Sequence, residues 1–598
     1  MTSFFSKGTI LLDDASATHD CNSRLYQNPN QVLKAHTLSE AEQVVHQISS
    51  AQRNGKYVVA LLNYELGLGL HNLHCQPNTV LLEAYVYNSV IKLNQHQVDD
   101  YLKQHSNFES AGLLDIKHEI NRTDFSKAIE DIQEFIRDGQ TYQVNFTYPI
   151  TGSYYGAPID LYRQLKIHQP APFGAFIAKD RGYVLSFSPE WFIRHSQGSL
   201  SAKPMKGTAK ASESSPEELH TDTKNRAENL MIVDLLRNDL GRVSVPGSVA
   251  VPALFEVTQH GQVLQMTSTV TSTMKPSTTL WDVLQAVFPC GSVTGAPKRK
   301  TMEIISALEN KSRGLYCGAI AWFDPNDNEQ VLGDFAMSVV IRTLELDLQN
   351  KFQMGVGSGI TIDSNADDEW RECHIKTSFI TTPPEFGLFE TIRVEQCTPQ
   401  LCDQHLNRLQ ISAQSLGINF DRAEVIKQLQ AHTTTLDLNI IYRLRLDLQP
   451  DGTTQIQTTP LLPLIGQQKV ILASNLLKDY QPTASSDLLL QHKVTRRQSY
   501  DIAWKLAEEY GYFDALFTNE KGCLTEGGRS NLFIKLNGCW YTPPLIDGCL
   551  PGVMRALVLN DHQMKPVERS LTVNDLIKAE EIILCNALRG MIPVIIES

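Results

Sequence analysis

Lys206 is the residue of this chain whose chemistry can be inferred most directly from its neighbours. It precedes a Gly-Thr turn, and a lone carboxylate stands upstream at Glu190. An amine attacks only when it is unprotonated, and its pKa in water is about 10.4. Removal from water, or a nearby cation such as Lys203 or Lys210, would lower that pKa. The pattern predicts an activated amine nucleophile, with a solvated loop lysine as the alternative.

Three carboxylates follow on two predicted helices. Glu303 lies on a helix that begins after a Gly-Ala-Pro-Lys turn, and Glu369 and Glu372 share one face of a later helix with Lys376. Carboxylates from two helices would suit Mg²⁺, which binds few carboxylates and completes its shell with water and ligand oxygens. The alternative is a solvated charged face, which surface ion pairs commonly form.

A glycine-rich segment and an arginine could hold an anion. The segment 355–360 lacks the spacing of a dinucleotide-binding loop, and no ribose-binding acid follows it. Backbone amides in a turn at Gly357 and Gly359 can still hold a carboxylate. Arg342 offers a planar fork for a second carboxylate.

The last third of the chain carries a second set of reactive residues. Lys493 precedes an amphipathic helix, and Glu526 follows about thirty residues later. Such a pair could serve pyridoxal 5'-phosphate, the lysine as Schiff base and the acid as partner of the pyridine nitrogen. Arg408 could pair with the phosphate, and the backbone amides of Val553 and Met554 could bind it at a helix start. Read one by one, these residues could also be a surface cation and a turn.

Length and composition limit the classes of protein. At 598 residues the chain is too long for one core, and its hydrophobic and charged contents of 42% and 20% are typical of globular proteins. The net charge of −13 argues against a nucleic-acid partner. The 11 cysteines form no CxxC pair, which favours reduced thiols in the cytoplasm. Neither a signal peptide nor a membrane span is predicted.

The predicted elements divide the chain into parts. Strands dominate an N-terminal part, residues 1–110, and mixed helices and strands follow over 111–380. One helix is predicted to begin at Asp124 and another to stop at Asn238–Gly241. A Thr- and Pro-rich stretch, residues 381–387, predicts a linker. The pattern restarts in a second part, residues 388–598.

Several ordered segments of the first part resemble the chorismate-binding enzyme family, over about residues 115 to 380. The matching segments are residues 138–145, Ser188-Pro189-Glu190, Arg226-Ala227-Glu228-Asn229, residues 234–242, Gly295-Ala296-Pro297-Lys298, Ile341-Arg342-Thr343 and the glycine-rich segment. Within this family a lysine at position 206 is typical of the branch that aminates chorismate at C4. Anthranilate synthases, the alternative, are expected to carry alanine there.

The resemblance assigns a role to each candidate residue. It implies that Lys206 adds to C2 of chorismate while the C4 hydroxyl leaves, and that ammonia then enters at C4 and displaces the lysine. Glu190 matches the general acid. Glu303 and Glu372 match ligands of Mg²⁺, with Glu369 nearby. The substrate contacts implied are Arg342, Tyr316, Lys376, Gly357 and Gly359.

The resemblance also points to a source of ammonia outside this chain. No Gly-x-Cys-x-Gly nucleophile segment of a glutamine amidotransferase is present in the sequence. A separate glutamine amidotransferase subunit is therefore implied, unless free ammonia is used. Gln262 departs from the family, because many relatives have histidine at that position.

The second part resembles the fold-type IV pyridoxal-phosphate enzymes over about residues 386 to 598. The shared order is Phe389-Glu390-Thr391-x-Arg393, His405-x-x-Arg408, Lys493, Glu526-x-x-x-Ser530-Asn531 and Pro551 to Arg555. Cys585-Asn586-Ala587-Leu588 is similar to the lyases of the family, which remove pyruvate from 4-amino-4-deoxychorismate to give 4-aminobenzoate. Asn586 is the candidate substrate contact.

The two resemblances agree with each other, because the product of the first reaction is the substrate of the second. They imply an α+β multidomain protein, in which a chorismate-binding α/β sandwich precedes a two-subdomain fold-type IV domain. A D-amino-acid or branched-chain aminotransferase in the second part is the nearest alternative, and a degenerate binding domain is a further one. A homodimer through the second part is compatible with the resemblance.

Overall fold

The chain folds into two compact units that both combine helices with sheets. The structure, a computed structural model, describes residues 5–15, 22–77, 79–106, 110–210, 215–260, 263–326 and 332–597. The first unit comprises Met1–Ala111, Lys117–Gly152 and Ala157–Ile380, and the second comprises Gly112–Ile116, Ser153–Gly156 and Thr381–Ser598. This mixture of sheets and helices in each unit confirms the predicted α+β multidomain class.

Strands provide most of the regular structure before residue 381. They are β1 (Ile10–Asp13), β2 (Ser23–Tyr26), β3 (Gln31–Ala35), β4 (Tyr57–Leu62), β5 (Leu82–Tyr87), β6 (Ile91–Leu93), β7 (Gly112–His118), β8 (Gln143–Tyr155), β9 (Phe173–Lys179), β10 (Gly182–Ser188), β11 (Trp191–Ser196), β12 (Ser199–Lys203), β13 (Met205–Lys210), β14 (Ala250–His260), β15 (Val263–Thr273), β16 (Gly295–Ala296), β17 (Ala319–Phe323), β18 (Phe335–Val339), β19 (Thr343–Leu346) and β20 (Lys351–Ile360).

The helices of the same region alternate with these strands. They are α1 (Leu38–Arg53), α2 (Tyr64–Leu70), α3 (Gln95–Gln104), α4 (Arg122–Arg137), α5 (Pro158–His168), α6 (Pro216–Thr221), α7 (Thr223–Val243), α8 (Leu280–Val287), α9 (Lys298–Leu308) and α10 (Ala366–Thr377). Among the residues that the structure describes, no helix combines the length and apolar character needed to cross a membrane.

Two large sheets form the first unit. The strand order of one is β16-β8-β20-β19-β10-β9-β1-β2-β6, and that of the other is β13-β15-β12-β11-β18-β17-β4-β5-β3, with β14 paired to β15. Strand β4 shows why the sheets stack: Val59 and Leu61 point into a core shared with the first sheet, whereas Val58 and Ala60 point into a core shared with helices α1, α7 and α8. Both faces of β4 are buried, which explains its uninterrupted apolar sequence.

The second unit contains a small and a large sheet. Its elements are β21 (Leu388–Glu395), β22 (Thr398–Pro399), α11 (Cys402–Ser415), α12 (Arg422–Thr433), β23 (Tyr442–Leu448), β24 (Thr454–Pro460), β25 (Gln468–Leu472), α13 (Ala473–Leu476), α14 (Gln498–Glu509), β26 (Asp514–Thr518), β27 (Leu524–Gly527), β28 (Asn531–Leu536), β29 (Cys539–Thr542), α15 (Val553–Leu559), β30 (Val567–Glu568), α16 (Val573–Ile577), β31 (Glu581–Asn586) and β32 (Gly590–Ile596). The small sheet has the order β22-β21-β23-β24, and the large one has the order β27-β26-β25-β32-β31-β28-β29-β30.

Three local predictions differ from the structure. Helix α4 begins at Arg122 rather than at Asp124, because the side chain of Asn121 caps it. Helix α7 does not stop at Asn238–Gly241 but continues to Val243, since its last turns remain buried. The segment 355–360 is part of strand β20 and not a turn. Gly241 does not end helix α7, because a glycine in a helix weakens it by only about 1 kcal/mol, which packing readily outweighs.

A buried ion pair fastens α7 to α9. Lys298 Nζ lies 2.7 Å from Asp239 Oδ2 and donates a second hydrogen bond of 2.7 Å to the carbonyl oxygen of Val287. Both side chains are only 7% exposed. Burial raises the pKa of Asp239 although Lys298 opposes the shift. The pair therefore holds the end of α7 against the start of α9 at the expense of two desolvated charges.

Removal of one partner should destabilise the first unit. Lys298→Met leaves Asp239 buried without its cation, and we expect a loss of about 3–5 kcal/mol in the free energy of unfolding. Urea unfolding followed by circular dichroism measures this loss. Lys300→Met is the matched control, because Lys300 is 45% exposed and pairs with Glu303 of its own helix. Equal stability of the two variants would contradict the role given to the pair.

Candidate functional site

Lys206 lies on strand β13 beside a carboxylate that the sequence analysis gave no role. Its Nζ is 3.4 Å from Oε2 of Glu228 on helix α7, and the two side chains are 19% and 18% exposed. Register shifts between Met205 and Thr208 in the pairing with β15 mark this part of the strand. Lys206 reaches strand β20 of the other sheet, because a Cβ on Gly359 would stand only 2.9 Å from Nζ. The amine thus lies between strand β13 of one sheet and strand β20 of the other.

Glu190 is buried between strands β10 and β11, near enough to Lys206 for the charge of that lysine to act on its carboxyl. The hydroxyl of Ser292 donates a hydrogen bond of 2.6 Å to Glu190 Oε1, and Cys290 Sγ lies 3.1 Å from that hydroxyl. Burial raises the pKa of Glu190 to about 7, while Ser292, Lys206 and Lys376 oppose the shift. A carboxyl with this pKa can hold a proton at neutral pH and release it to a substrate.

Helix α10 supplies an ion pair to this region. Lys376 Nζ lies 2.6 Å from Glu372 Oε1 and donates a hydrogen bond of 2.9 Å to the carbonyl oxygen of Gly357. Burial opposes the ionisation of Glu372, but Lys376, Lys206 and Lys224 outweigh it and lower its pKa. Glu372 is therefore a carboxylate at neutral pH.

Glu369 occupies the buried face of the same helix. Its two carboxylate oxygens accept hydrogen bonds from the hydroxyls of Ser358 and Ser364, the latter at 2.8 Å. Ser358 belongs to strand β20, so that Glu369 fastens α10 to the strand that carries Gly357 and Gly359. These hydrogen bonds indicate that Glu369 positions helix α10.

The predicted glycines are sites of close approach within a strand. A Cβ on Gly357 would collide with the carbonyl oxygen of Phe146, and one on Gly359 would collide with the side-chain amide of Gln143. Strand β20 therefore packs so closely against β8 that only glycine fits at these positions. The prediction that a turn presents their amides is wrong, because the segment is extended.

Two of the predicted substrate contacts have different surroundings. Arg342 has a positive φ of 50°, and burial lowers its pKa. It is near enough to Lys376 to oppose that lysine's charge. Tyr316 instead packs its ring on Gly355 and lines a separate cavity of about 490 Å³ with Glu309 and other residues. The structure thus joins Arg342 to the group around Lys376 and gives Tyr316 contacts outside that group.

Glu303 also makes its contacts outside this group. Its side chain is 38% exposed and forms ion pairs with Arg299 and Lys300 of its own helix, at 3.7 and 3.4 Å. No contact joins it to Glu372 within the ranges that the structure describes. Its role as a magnesium ligand remains a prediction that these contacts do not favour. Gln262 lies outside the described residues.

The carboxylates around Lys206 are better suited to a divalent cation. Glu228 forms an ion pair with Lys206, and the positive charge of Lys206 also helps to lower the pKa of Glu372. Both carboxylates therefore lie near one amine. No group of three or more His, Cys, Asp or Glu side chains in the described ranges is arranged to hold a metal. Mg²⁺ commonly uses one or two protein carboxylates, with water and ligand oxygens as its other partners. The donor set Glu228 and Glu372 fits that ion.

The second unit encloses a cavity of about 530 Å³ that contains the predicted lysine. Lys493 Nζ lies 4.5 Å from the ring centroid of Phe389. Removal from water lowers the pKa of Lys493 to about 7, and the charges of Arg497 and Arg408 add to the effect. A substantial fraction of the amine is therefore neutral at neutral pH, which suits covalent attachment of an aldehyde cofactor.

Glu526 lies in the same cavity and is held by three donors. It accepts hydrogen bonds from the backbone amide of Leu550 at 3.1 Å and from Asn531 Nδ2 at 3.4 Å, and Arg497 Nη2 lies 3.5 Å away. Burial raises its pKa, and Arg497 opposes that shift. The side chain thus offers a fixed acid at the wall of the cavity.

Arg408 is oriented by a buried carboxylate. Its Nε and Nη2 donate to the two oxygens of Glu390 at 2.8 and 2.6 Å, and His405 Nδ1 shares Glu390 Oε2 at 2.6 Å. Burial opposes the ionisation of Glu390, but Arg408 and His405 outweigh it and lower its pKa to about 2. The other ring nitrogen of His405 is buried without a partner among the described residues. This cationic wall suits a phosphate.

The remaining predicted residues complete the cavity. Gly552, Val553 and Met554 line it at the start of helix α15, and a Cβ on Gly552 would collide with Asn531 Oδ1. Asn586 lines it as well, and its side chain is fixed by the carbonyl oxygen of Arg529 at 3.2 Å. The structure therefore brings all the cofactor residues predicted for the second part around one cavity. An electron-accepting ring bound there would lie among a neutral lysine, an acid and a cationic phosphate site.

Two family patterns match successive parts of the chain. The pattern described as chorismate binding enzyme matches residues 7–382, and the pattern described as amino-transferase class IV matches residues 387–595. The first covers more than half of the chain, and the two meet between residues 382 and 387. Both resemblances inferred from the motifs are thereby confirmed.

Curated relatives match within the first part. Aminodeoxychorismate synthase component 1 of Salmonella typhimurium is 38% identical over 272 residues, which are 44% of this chain and 58% of that protein. The protein of the same name from Klebsiella aerogenes is 40% identical over 268 residues, 44% of this chain and 58% of that protein. The chain thus spans less than two thirds of the length of these relatives.

A solved structure supports the fold of the first unit. Anthranilate synthase component I from Streptococcus pneumoniae is 25% identical, with a TM-score of 0.50, and the match covers 63% of this chain and 91% of that one.

The titration of Glu190 can be measured directly. We expect its carboxyl to titrate near pH 7 and Ser292→Ala to move the pKa higher, because the hydroxyl of Ser292 stabilises the carboxylate. Isotope-edited infrared spectroscopy of labelled glutamate measures this titration, and Glu190→Gln identifies the band. Ser244→Ala, which removes another buried hydroxyl, is the matched control. A pKa near 4.5 in the wild type would contradict the argument.

Proposed function

The chain belongs to the family of chorismate binding enzymes and continues into an amino-transferase class IV domain, and we propose that it makes 4-aminobenzoate from chorismate in two steps. The first unit would aminate chorismate at C4, giving 4-amino-4-deoxychorismate. The second unit would remove pyruvate from that product. The observation that carries the proposal is the buried carboxyl of Glu190, which has a raised pKa and lies near enough to Lys206 for the charge of that amine to act on it.

Lys206 is the proposed nucleophile of the first step. Its Nζ would form a bond to C2 of chorismate as the ring double bonds shift and the C–O bond at C4 breaks. Glu190 would give its proton to the departing hydroxyl, which leaves as water. Ammonia would then bond to C4 as the bond between Lys206 and C2 breaks, so that the lysine is regenerated. The ion pair with Glu228 has to be released first, because only the neutral amine attacks.

The carboxylates Glu228 and Glu372 are the proposed holders of Mg²⁺. The ion would supply positive charge for a carboxylate of the substrate. Glu228 would then no longer stabilise the ammonium form of Lys206, which favours the attacking amine. Glu369 would position helix α10 through its serine contacts, and Arg342 and Lys376 would bind carboxylates of chorismate. The predicted substrate contacts Tyr316, Gly357 and Gly359 and the predicted ligand Glu303 remain part of the proposal to be tested.

Pyridoxal 5'-phosphate is the proposed cofactor of the second step, where it would supply an electron sink. Lys493 would hold it covalently, take the proton from the substrate carbon that bears the amine, and return a proton later. Glu526 would keep the pyridine nitrogen protonated. Arg408 and the backbone amides of Val553 and Met554 would bind the phosphate. Asn586 would contact the substrate.

The proposal includes partners that the chain does not itself contain. A glutamine amidotransferase subunit would supply the ammonia, as the sequence analysis implied. A homodimer through the second unit and a cytoplasmic location, expected from the family resemblance and from the unpatterned cysteines, complete the proposal.

Product analysis tests the whole proposal. Purified protein with chorismate, an ammonium salt, Mg²⁺ and pyridoxal phosphate should release 4-aminobenzoate and pyruvate in equal amounts without any added lyase. Lys206→Ala should abolish amination while the lyase step continues on added aminodeoxychorismate. Lys493→Ala should accumulate aminodeoxychorismate and release no pyruvate from it.

Three outcomes would redirect the proposal. Anthranilate as the product would move the first unit to the alternative reaction. Transamination of a D-amino acid or a branched-chain amino acid, with aminodeoxychorismate accumulating, would make the second unit an aminotransferase. Full amination by Lys206→Ala would exclude the covalent role of Lys206.

The metal assignment has a separate test. Glu228→Gln and Glu372→Gln should each raise the Mg²⁺ concentration needed for half-maximal chorismate consumption by about ten-fold or more, because each removes a charged ligand. Glu303→Gln is the matched variant and should respond to Mg²⁺ as the wild type does. If Glu303→Gln and Glu372→Gln lose the response while Glu228→Gln keeps it, the assignment from sequence holds and the one from geometry fails.

A further inference from the structure

The cavity of the second unit carries more positive charge than the cofactor residues account for. Seven arginine and lysine side chains line it, against three carboxylates. Arg408 and Arg497 face the buried acids Glu390 and Glu526. Burial lowers the pKa of Lys493 to about 7, so that this lysine carries only part of a positive charge at neutral pH. The excess therefore comes from the other arginines at the wall.

Part of the excess comes from strand β23, which brings Arg443 and Arg445 to the cavity. Arg393 stands directly opposite Arg443, and Thr391 stands opposite Arg445. These residues alternate with the core residues Ile392 and Leu444, so they occupy the face of the sheet that is turned away from the core. Like charges directly opposite one another destabilise a sheet unless an anion or a carboxylate compensates them.

Two of these three arginines already have a compensating carboxylate. Arg445 Nη2 lies 2.7 Å from Asp447, and Arg393 Nε lies 3.2 Å from Glu395. Arg443 has no carboxylate within ion-pair distance among the residues that the structure describes. Burial lowers its pKa, and Arg445 and Arg529 lower it further. Among the described residues, Arg443 thus has no carboxylate in direct contact, although Asp447 and Glu508 act on its charge from farther away.

Two further arginines, from other elements, also lack a strong carboxylate partner among the described residues. Arg529 Nη1 is 3.6 Å from Glu508, whose side chain is 63% exposed, so that pair is weak. Arg589 donates to the carbonyl oxygen of Leu462 and has no carboxylate within ion-pair distance in the described ranges. Burial lowers the pKa of Arg589, and Arg529 and Arg393 add to the effect.

An apolar wall stands beside these cations. The Arg529 guanidinium lies 4.9 Å from the ring centroid of Trp504 and 4.8 Å from that of Phe513. Leu462 and Leu464 also line the cavity. A ligand that matches this wall has a flat carbon ring, and one that matches the cations has more than one carboxylate.

We propose that Arg443, Arg529 and Arg589 form a subsite for the carboxylates of a ring-shaped dicarboxylate whose amine reacts at Lys493. This subsite rests on the proposed function and gives the substrate class of its second step. A monocarboxylic apolar amino acid would leave at least one of the three guanidiniums without a counter-ion. The arrangement therefore selects a dicarboxylic substrate over the amino acids of an aminotransferase.

Ligand binding to the holoenzyme tests the subsite independently of turnover. The probes are isophthalate, with two carboxylates on a six-membered ring, and benzoate, with one. Binding is followed by the change in visible absorbance of the bound cofactor. We expect isophthalate to bind about ten-fold or more tightly than benzoate, and Arg443→Gln and Arg529→Gln each to remove most of that preference. Arg443→Lys should retain part of it.

Turnover provides the second readout. With aminodeoxychorismate as substrate, Arg443→Gln and Arg529→Gln should each raise KM by about ten-fold or more and change kcat little, because binding and not proton transfer is lost. Arg422→Gln, which removes an arginine of helix α12 that pairs with Asp403, is the matched control. Cofactor absorbance in each variant shows that the fold is intact.

The outcomes separate the subsite from the proposed function. If isophthalate binds no better than benzoate, or if the variants keep the preference and the KM of the wild type, the subsite is overturned. If isophthalate is preferred and the variants lose the preference while the wild type releases no pyruvate, the subsite stands and the lyase proposal fails.

Discussion

The carboxyl group of Glu190 lies out of water with a single hydroxyl donor, and the first unit is arranged around that burial. A buried carboxyl without compensation becomes neutral, and one with too much compensation can no longer give up a proton. Ser292 and the more distant charges of Lys206 and Lys376 hold it between these limits. Each of these groups is fixed by another element, so the protonation of one side chain depends on how two sheets and a helix are packed.

In the second unit burial lowers the pKa of a lysine, whereas in the first unit burial raises the pKa of a carboxyl. That lysine has to lose its charge, and removal from water beside two arginines achieves this. The carboxylate of Glu390 favours the ammonium form only weakly, and burial outweighs it, because Arg408 and His405 already occupy both of its oxygens. Fixed charges that neutralise one another therefore leave the reactive amine as the group that can change its charge most easily.

The candidate residues of both sites could be picked out from sequence wherever the proposed role of a residue follows from its own type within a short motif. Lys206, Glu190 and Lys493 are examples, and so is the α+β class, which follows from the alternation of periodic segments. Glu228 was missed although it lies in a segment that matched a family, because its role depends on a contact between a helix and a strand that are distant in sequence. Glu303 was favoured for its helix, and no local signal shows that the face it occupies is exposed.

Errors in secondary structure had a similar origin. The segment 355–360 looks like a turn because glycines favour turns, yet its glycines serve close packing between strands. Helix α7 continues past a sequence that normally ends helices, because the core holds its last turns. In both cases tertiary packing outweighs local preference.

Helix α7 connects the surroundings of Lys206 with the buried ion pair of Asp239 and Lys298. Glu228 stands near its beginning and Asp239 near its end, about 16 Å apart along the axis if the helix is regular. Because a helix transmits displacement as a rigid rod, a shift at the anchored end would tilt the carboxylate beside Lys206. Loss of a residue remote from the chemistry would therefore impair turnover in a protein that is still folded.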